Sequence, residues 1–136
     1  LTTVVDASFA VNWLLAGDGS ELDQLLIEAQ RGGLLAPVIF WHEATSALRN
    51  LGPRSVLTRA ERDDALRRLV KVGVSVDEQP PEIGRVLQMS DQFNLTIYNA
   101  SYLELASRTG SDLASNDAAL KQSAARIGLR VIDVKP

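Results

Sequence analysis

Val4-Val5-Asp6-Ala7-Ser8 decides how the rest of the chain is read. Apolar residues run up to a single carboxylate. A small residue and a hydroxyl follow, and Phe9-Ala10-Val11-Asn12-Trp13-Leu14-Leu15 continues with helical character. The pattern predicts a buried strand ending at Asp6, then a short turn into a helix capped by Ser8. In an open α/β sheet, ligands bind outside the carboxyl ends of the strands, so Asp6 stands where a functional carboxylate belongs. The same position also suits a structural cap for the helix, and the stretch alone leaves both readings open.

Outward from this stretch the chain alternates. Gly17-Asp18-Gly19 breaks the first helix, and Ser20 with Asp23 reads as a cap and its reciprocal partner. Leu22, Leu25, Leu26 and Ala29 form one apolar stripe up to Gly32-Gly33. Leu34-Leu35-Ala36-Pro37 predicts a second strand, and a third helix follows from about Val38 to Leu51, stopped by Gly52-Pro53. Thr58 and Glu61 form a capping box for a helix that buries Ala65, Leu66, Leu69 and Val70. Val72 to Val76 is β-branched and predicts a third strand. Pro80-Pro81 opens a helix with Ile83, Val86, Leu87 and Phe93 inward and Asn94 as a left-handed stop. Thr96 caps a helix with Ala100, Leu103 and Ala106 on one face, closed by Gly110. Ser111 to Ser115 predicts a fourth strand, Asn116 and Asp117 open a last helix ended by Gly128, and Arg130 to Val134 predicts a fifth strand. Such alternation implies an α/β fold: a mostly parallel sheet of about five strands, flanked by helices on both faces. The 136 residues suit a single domain with a substantial core.

A net charge of −3 does not advertise nucleic-acid binding, but the charge is unevenly spread. Between Arg49 and Lys71 seven basic residues face three acidic ones, a local +4 that leaves −7 for the remainder. A polyanion is drawn to such a patch, while the acidic remainder suits a metal. With no cysteine there are neither disulfides nor thiolate metal sites, and a cytoplasmic home is expected. The chain enters its first strand at once, so no signal peptide is expected, and no apolar run reaches membrane-spanning length.

Four polar positions share one context. Asp6 follows strand one, Glu43 lies early in the helix after strand two, Asn99 lies in the first turn of the helix capped by Thr96, and Asp117 follows strand four. All sit near a strand's carboxyl end or a helix's amino end, so they can converge on one cleft. Clustered carboxylates repel, and a hard divalent cation with oxygen ligands, magnesium or manganese, is the usual compensation. The single histidine, His42, leaves no room for a zinc site built on imidazoles. No Gly-x-Ser-x-Gly turn, Gly-Lys-Ser/Thr phosphate loop or Gly-x-Gly-x-x-Gly follows a predicted strand. Position 8 is Ser where a dehalogenase-type phosphatase needs a second aspartate, and Asp77-Glu78 run into Pro80-Pro81 where a receiver domain needs its acceptor.

The segments Val4-Val5-Asp6-Ala7-Ser8, Trp41-His42-Glu43-Ala44, Leu95 to Ala106 and Leu113 to Leu120 resemble the signature segments of PIN-domain nucleases, most of all the VapC-type toxins of bacterial toxin–antitoxin pairs. The resemblance implies a three-layer α/β/α PIN-like domain over residues 1–136. It also implies a metal-dependent endoribonuclease in which residues matching Asp6, Glu43, Asn99 and Asp117 surround one or two Mg2+ or Mn2+ ions. Asp6, Asn99 and Asp117 would be metal ligands, and Glu43 a ligand or the group that positions the attacking water. Further implications are a homodimer and silencing by a small antitoxin protein laid across the groove. Ser8, Ser115 and Asn116 are candidates for orienting a carboxylate or water, with helix capping as the alternative. Asp112, at the wrong end of strand four, is read as structural. One departure stands out: the family pattern has Tyr-Asp-Ala where this chain has Tyr98-Asn99-Ala100, an amide that keeps an oxygen but not the charge. Two rival readings therefore accompany the ribonuclease toxin. One is an inactive PIN-fold module that binds RNA or a partner. The other is a metal-dependent phosphatase or DNA nuclease on the same carboxylates. Val56 and Leu57 are candidate dimer contacts.

Overall fold

Five parallel strands in the order β3-β2-β1-β4-β5 form the sheet: β1 (Thr3–Val5), β2 (Leu34–Ala36), β3 (Val74–Val76), β4 (Asp112–Ala114) and β5 (Val131–Ile132). A computed structural model describes residues 1–17, 19–51 and 57–132. The helices are α1 (Ala7–Ala16), α2 (Glu21–Gln30), α3 (Phe40–Arg49), α4 (Arg59–Val72), α5 (Ile83–Phe93), α6 (Ile97–Thr109) and α7 (Ala118–Arg126). Asp18, the Gly52-Pro53 stop, Arg54, Val56 and the end of the predicted fifth strand at Val134 lie outside the described residues.

From the central β1 the chain moves outward through β2 to β3, then returns across the sheet to β4 and β5. Right-handed crossovers then place α1–α4 on one face and α5–α7 on the other. The packing agrees, because α1 meets α2, α3 and α4, whereas α6 meets α5 and α7. This is the three-layer α/β/α arrangement expected. β1 and β4 are buried throughout, as strands covered on both faces must be. The core gathers Val4, Val5, Phe9, Phe40, Leu69, Met89, Leu103, Leu105, Leu113 and Leu120.

Local chemistry sets most boundaries. The Thr58–Glu61 capping box forms reciprocally, with Glu61 N–H donating to Thr58 and Thr58 N–H donating to the Glu61 carboxylate. Asn94 turns left-handed at φ 53°, the conformation its short amide tolerates, and stops α5. Several expectations are corrected. The cap of α1 is Asp6, whose carboxylate accepts from Phe9 N–H, so the helix begins at Ala7 and Ser8 is already inside it. Asp23 does not return to Ser20; it accepts from Gly19 N–H and from the Trp13 indole, pinning α2 to α1. Val72 ends α4 rather than starting a strand, because left-handed Gly73 lies between. Val70, Ile83 and Leu87 are exposed, since α4 and α5 bury narrower faces than their apolar patterns allow. Met89 takes the inward place on α5 beside Val86.

Candidate active site

Because the strand order reverses direction at β1, the carboxyl ends of β1 and β4 flank a topological switch point, the crevice where open α/β sheets bind ligands. Asp6 is the first residue past β1, and Asp117 stands three past the end of β4. Parallel pairing of Val5 with Ala114 brings these two chain ends side by side.

Asp6 is 3% exposed and hydrogen-bonded at both carboxylate oxygens. Its Oδ1 accepts from Phe9 N–H at 2.8 Å and from Ser8 Oγ at 2.9 Å, while its Oδ2 accepts from Ser115 Oγ at 2.5 Å. Ser115 Oγ in turn accepts Asp117 N–H at 3.0 Å, and the Asp117 carboxylate caps α7 through Leu120 N–H at 2.8 Å. One serine therefore ties both acids together. Burial pushes the Asp6 carboxyl above the ordinary carboxylate range; its three hydrogen bonds pull the other way, and the negative charge of Asp117 adds to the rise. No cationic side chain is among the groups that shift it.

Across the crevice, Glu43 in the first turn of α3 accepts a 2.7 Å hydrogen bond from the Tyr102 hydroxyl on α6. This bond links the two helical layers over the carboxyl edge of the sheet. Tyr102 is buried, and its hydroxyl is pushed well above the usual phenol range, first by burial, then by its hydrogen bond to Glu43 and by the charges of Glu43 and Asp6. It stays a donor at any physiological pH. Tyr102 was not singled out from sequence. A tyrosine three residues after Asn99 shares its side of α6, and that spacing was the available signal. Asn99 itself is half-buried; its backbone donates to Thr96, and its carboxamide has no partner among the described residues.

The structure thus joins Asp6, Ser8, Ser115 and Asp117 in one hydrogen-bonded chain, sets Glu43 opposite through Tyr102, and puts Asn99 one turn before Tyr102. Asn116 falls outside this group. It makes no side-chain hydrogen bond among the described residues, does not cap α7, and lines a separate cavity with Asn12, Leu15 and Leu22. His42 is exposed. Asp112 lies at the opposite end of β4 beside Arg130 at 3.6 Å, in keeping with a structural role.

The donors are all oxygen, which suits a hard divalent ion. Among the described residues, no three His, Cys, Asp or Glu side chains form a metal cage. Asp6 and Asp117 are the preassembled pair, and an ion of the magnesium kind needs no more than one or two carboxylates because it keeps several waters.

An α/β domain with paired carboxylates at the switch point of an all-parallel sheet is the class defined by this geometry. The PIN domain family profile matches residues 3–125, and the chain belongs to that family. Solved structures share the fold. The PAE2754 protein of Pyrobaculum aerophilum is 24% identical, with a TM-score of 0.73 over 96% of this chain and 83% of that one. FitAcB from Neisseria gonorrhoeae is 11% identical, with a TM-score of 0.62 over 97% of both chains. VapC20 of Mycobacterium tuberculosis, described as a Sarcin-Ricin loop cleaving toxin, is 14% identical, with a TM-score of 0.58 over 99% of this chain and 100% of that one. A search of curated proteins gives no match.

Proposed function

We propose that this protein is a metal-dependent endoribonuclease toxin of a toxin–antitoxin pair, a single PIN domain over residues 1–136 acting in the cytoplasm. The observation that carries the reading is the chain from buried Asp6 through Ser115 to half-buried Asp117 at the switch point, two acids held together with no cationic side chain among the groups that shift Asp6. Family membership supports a nuclease, and the likeness in fold to an RNA-cleaving toxin supports RNA as the substrate.

Asp6 and Asp117, together with Asn99 from the turn of α6 before Tyr102, would hold Mg2+ or Mn2+. When bound, such an ion supplies Lewis-acid stabilisation of phosphoryl charge and a more acidic water. The chain's own residues do the rest. Ser115 fixes the orientation of both acids, and Ser8 and Phe9 N–H hold the other Asp6 oxygen. Tyr102 occupies Oε1 of Glu43 and leaves Oε2 to position a water or assist a ligand. Asn99 contributes an uncharged oxygen where the family pattern has a charged one, so activity is attenuated.

The test compares this chain with Asn99→Asp on total RNA, with magnesium, manganese and chelator. Restoring a metal partner is expected to raise cleavage roughly 10–100-fold. Equal cleavage by both would remove Asn99 from the ligand set. No cleavage by either, with RNA binding intact, would turn the reading toward an inactive binding module. A homodimer and a small antitoxin partner complete the proposal. Exposed Val38, Ile83, Ile97 and Tyr98, which line an apolar cavity of about 200 Å3, suit a dimer contact better than half-buried Leu57. Light scattering at micromolar concentration should give twice the chain mass, and a monomer would reject the dimer.

A further inference from the structure

Two adjoining cavities of about 260 and 240 Å3 lie between α3 and α4 and share Leu48, Arg49 and Arg62. Leu48 and Leu66 supply an apolar floor, and Arg59 extends the wall of the second lobe. Three guanidinium groups therefore face the single carboxylate of Asp63. Arg62 lies 3.6 Å from Asp63, a partly exposed pair that leaves the arginine available. Arg49 and Arg59 have no ion-pair partner among the described residues. Guanidinium forks match phosphate oxygens, and a basic groove of this kind follows the backbone of a single strand.

The groove is not the carboxylate crevice. At about 100° per residue, Thr45, Leu48 and Arg49 sit roughly 140–240° around α3 from Glu43. Glu43 faces Tyr102 on α6, and the basic groove faces α4 on the far side of the same helix. We infer that this α3–α4 groove is an exosite that seats the backbone of single-stranded RNA whose scissile phosphate lies over the Asp6–Asp117 crevice. The inference rests on the ribonuclease reading for its ligand. A strand joining the two places would cross His42, Thr45 and Ser46, exposed residues of α3.

The experiment measures binding of a short fluorescent oligouridylate by anisotropy, with chelator present, across a salt series. Arg49→Gln/Arg59→Gln is compared with Arg31→Gln/Arg126→Gln, a double variant of equal net charge on exposed helix ends elsewhere. Matching thermal melts check that both variants fold. The groove variant is expected to bind roughly tenfold more weakly and to flatten the logarithmic salt slope by about 1.4, with a much smaller change in the control. Equal effects of the two variants, or no salt-dependent binding by the parent, would overturn the exosite. Displacement of the RNA by polyglutamate of matched charge would also overturn it and assign the groove to an acidic polypeptide. Cleavage by Asn99→Asp is read separately. Full cleavage of a long RNA at unchanged KM in the groove variant sinks the exosite alone. Groove-dependent binding without any cleavage sinks the ribonuclease reading alone.

Discussion

Asp6 and Glu104 are both buried carboxylates, 3% and 2% exposed, yet their surroundings are opposites. Glu104 on α6 accepts both ion-pair hydrogen bonds from Arg108 Nε, at 3.0 and 3.2 Å, and the backbone N–H of Glu82 at 2.9 Å. Arg108 also reaches Asp77 at 2.9 Å, so the cluster ties the segment after β3 to α6. Among the described residues, the groups that act on Asp6 are two hydroxyls, one backbone amide and a second acid. A buried charge with its counter-charge built in is a structural joint. A buried acid without one among the described residues is held toward its neutral form, and it is the place the proposed ion would complete.

Removing the built-in cation should have the largest effect. Arg108→Ala leaves Glu104 buried and unpaired, which costs about 3 kcal/mol, the low end for a broken buried pair because the Arg108 side chain is 27% exposed. Urea denaturation checks it, and a loss well under 1 kcal/mol would erase the contrast between the two sites. The second effect concerns the cation Asp6 lacks. Millimolar Mn2+ should raise the melting temperature, and more so in Asn99→Asp, where roughly tenfold tighter binding adds about 1.4 kcal/mol at saturating metal. A melt that ignores metal, or responds equally in Asp6→Ala, counts against the site.

Tyr102→Phe should cost about 1.5 kcal/mol, the low end for a hydrogen bond to a charged group, and should lower turnover in any active form while leaving RNA affinity unchanged. Stopped turnover together with lost binding would mean a collapsed crevice rather than a released Glu43. The smallest effect carries a sign. The Asp6 carboxyl is raised above its ordinary value of 3.8, so the fold favours its neutral form. The stability this group contributes is complete below the unfolded pKa and drains away as pH rises through the folded one. Asp6→Asn keeps a capping oxygen without the charge. In chelator it should melt slightly higher than the parent at pH 7, with the advantage gone below about pH 3.8 and reversed by Mn2+ at pH 7. A variant that melts lower in chelator at neutral pH would contradict the account of Asp6.

Much of this was legible in the chain itself. Capping chemistry is local, so Thr58 with Glu61, Thr96 and Asn94 marked helix ends without help from the fold. The alternation of strands and helices gave the layers, and Asp6, Glu43 and Asp117 stood at the proper ends of their elements. What escaped depends on contacts between distant residues. The Tyr102–Glu43 bond joins positions 59 apart. Ile83 and Leu87 fit a helical stripe, but α5 packs chiefly on α6, so only the side carrying Val86 and Met89 is covered. Asn116 was judged by its nearness to Asp117, and the turn before α7 aims it at α1 and α2 instead.

The pairing of β1 with β4 sets Thr3 against Asp112 and Val5 against Ala114. Contacts of such long sequence separation are slow to form, because a large loop must close first. Until β4 arrives, β1 has one open edge and Asp6 has neither Ser115 nor Asp117 beside it. Sheet completion and site assembly are therefore one event. A chain folded only through β1, β2 and β3 carries no acid pair, so the ion proposed for this site would meet it only in the final architecture.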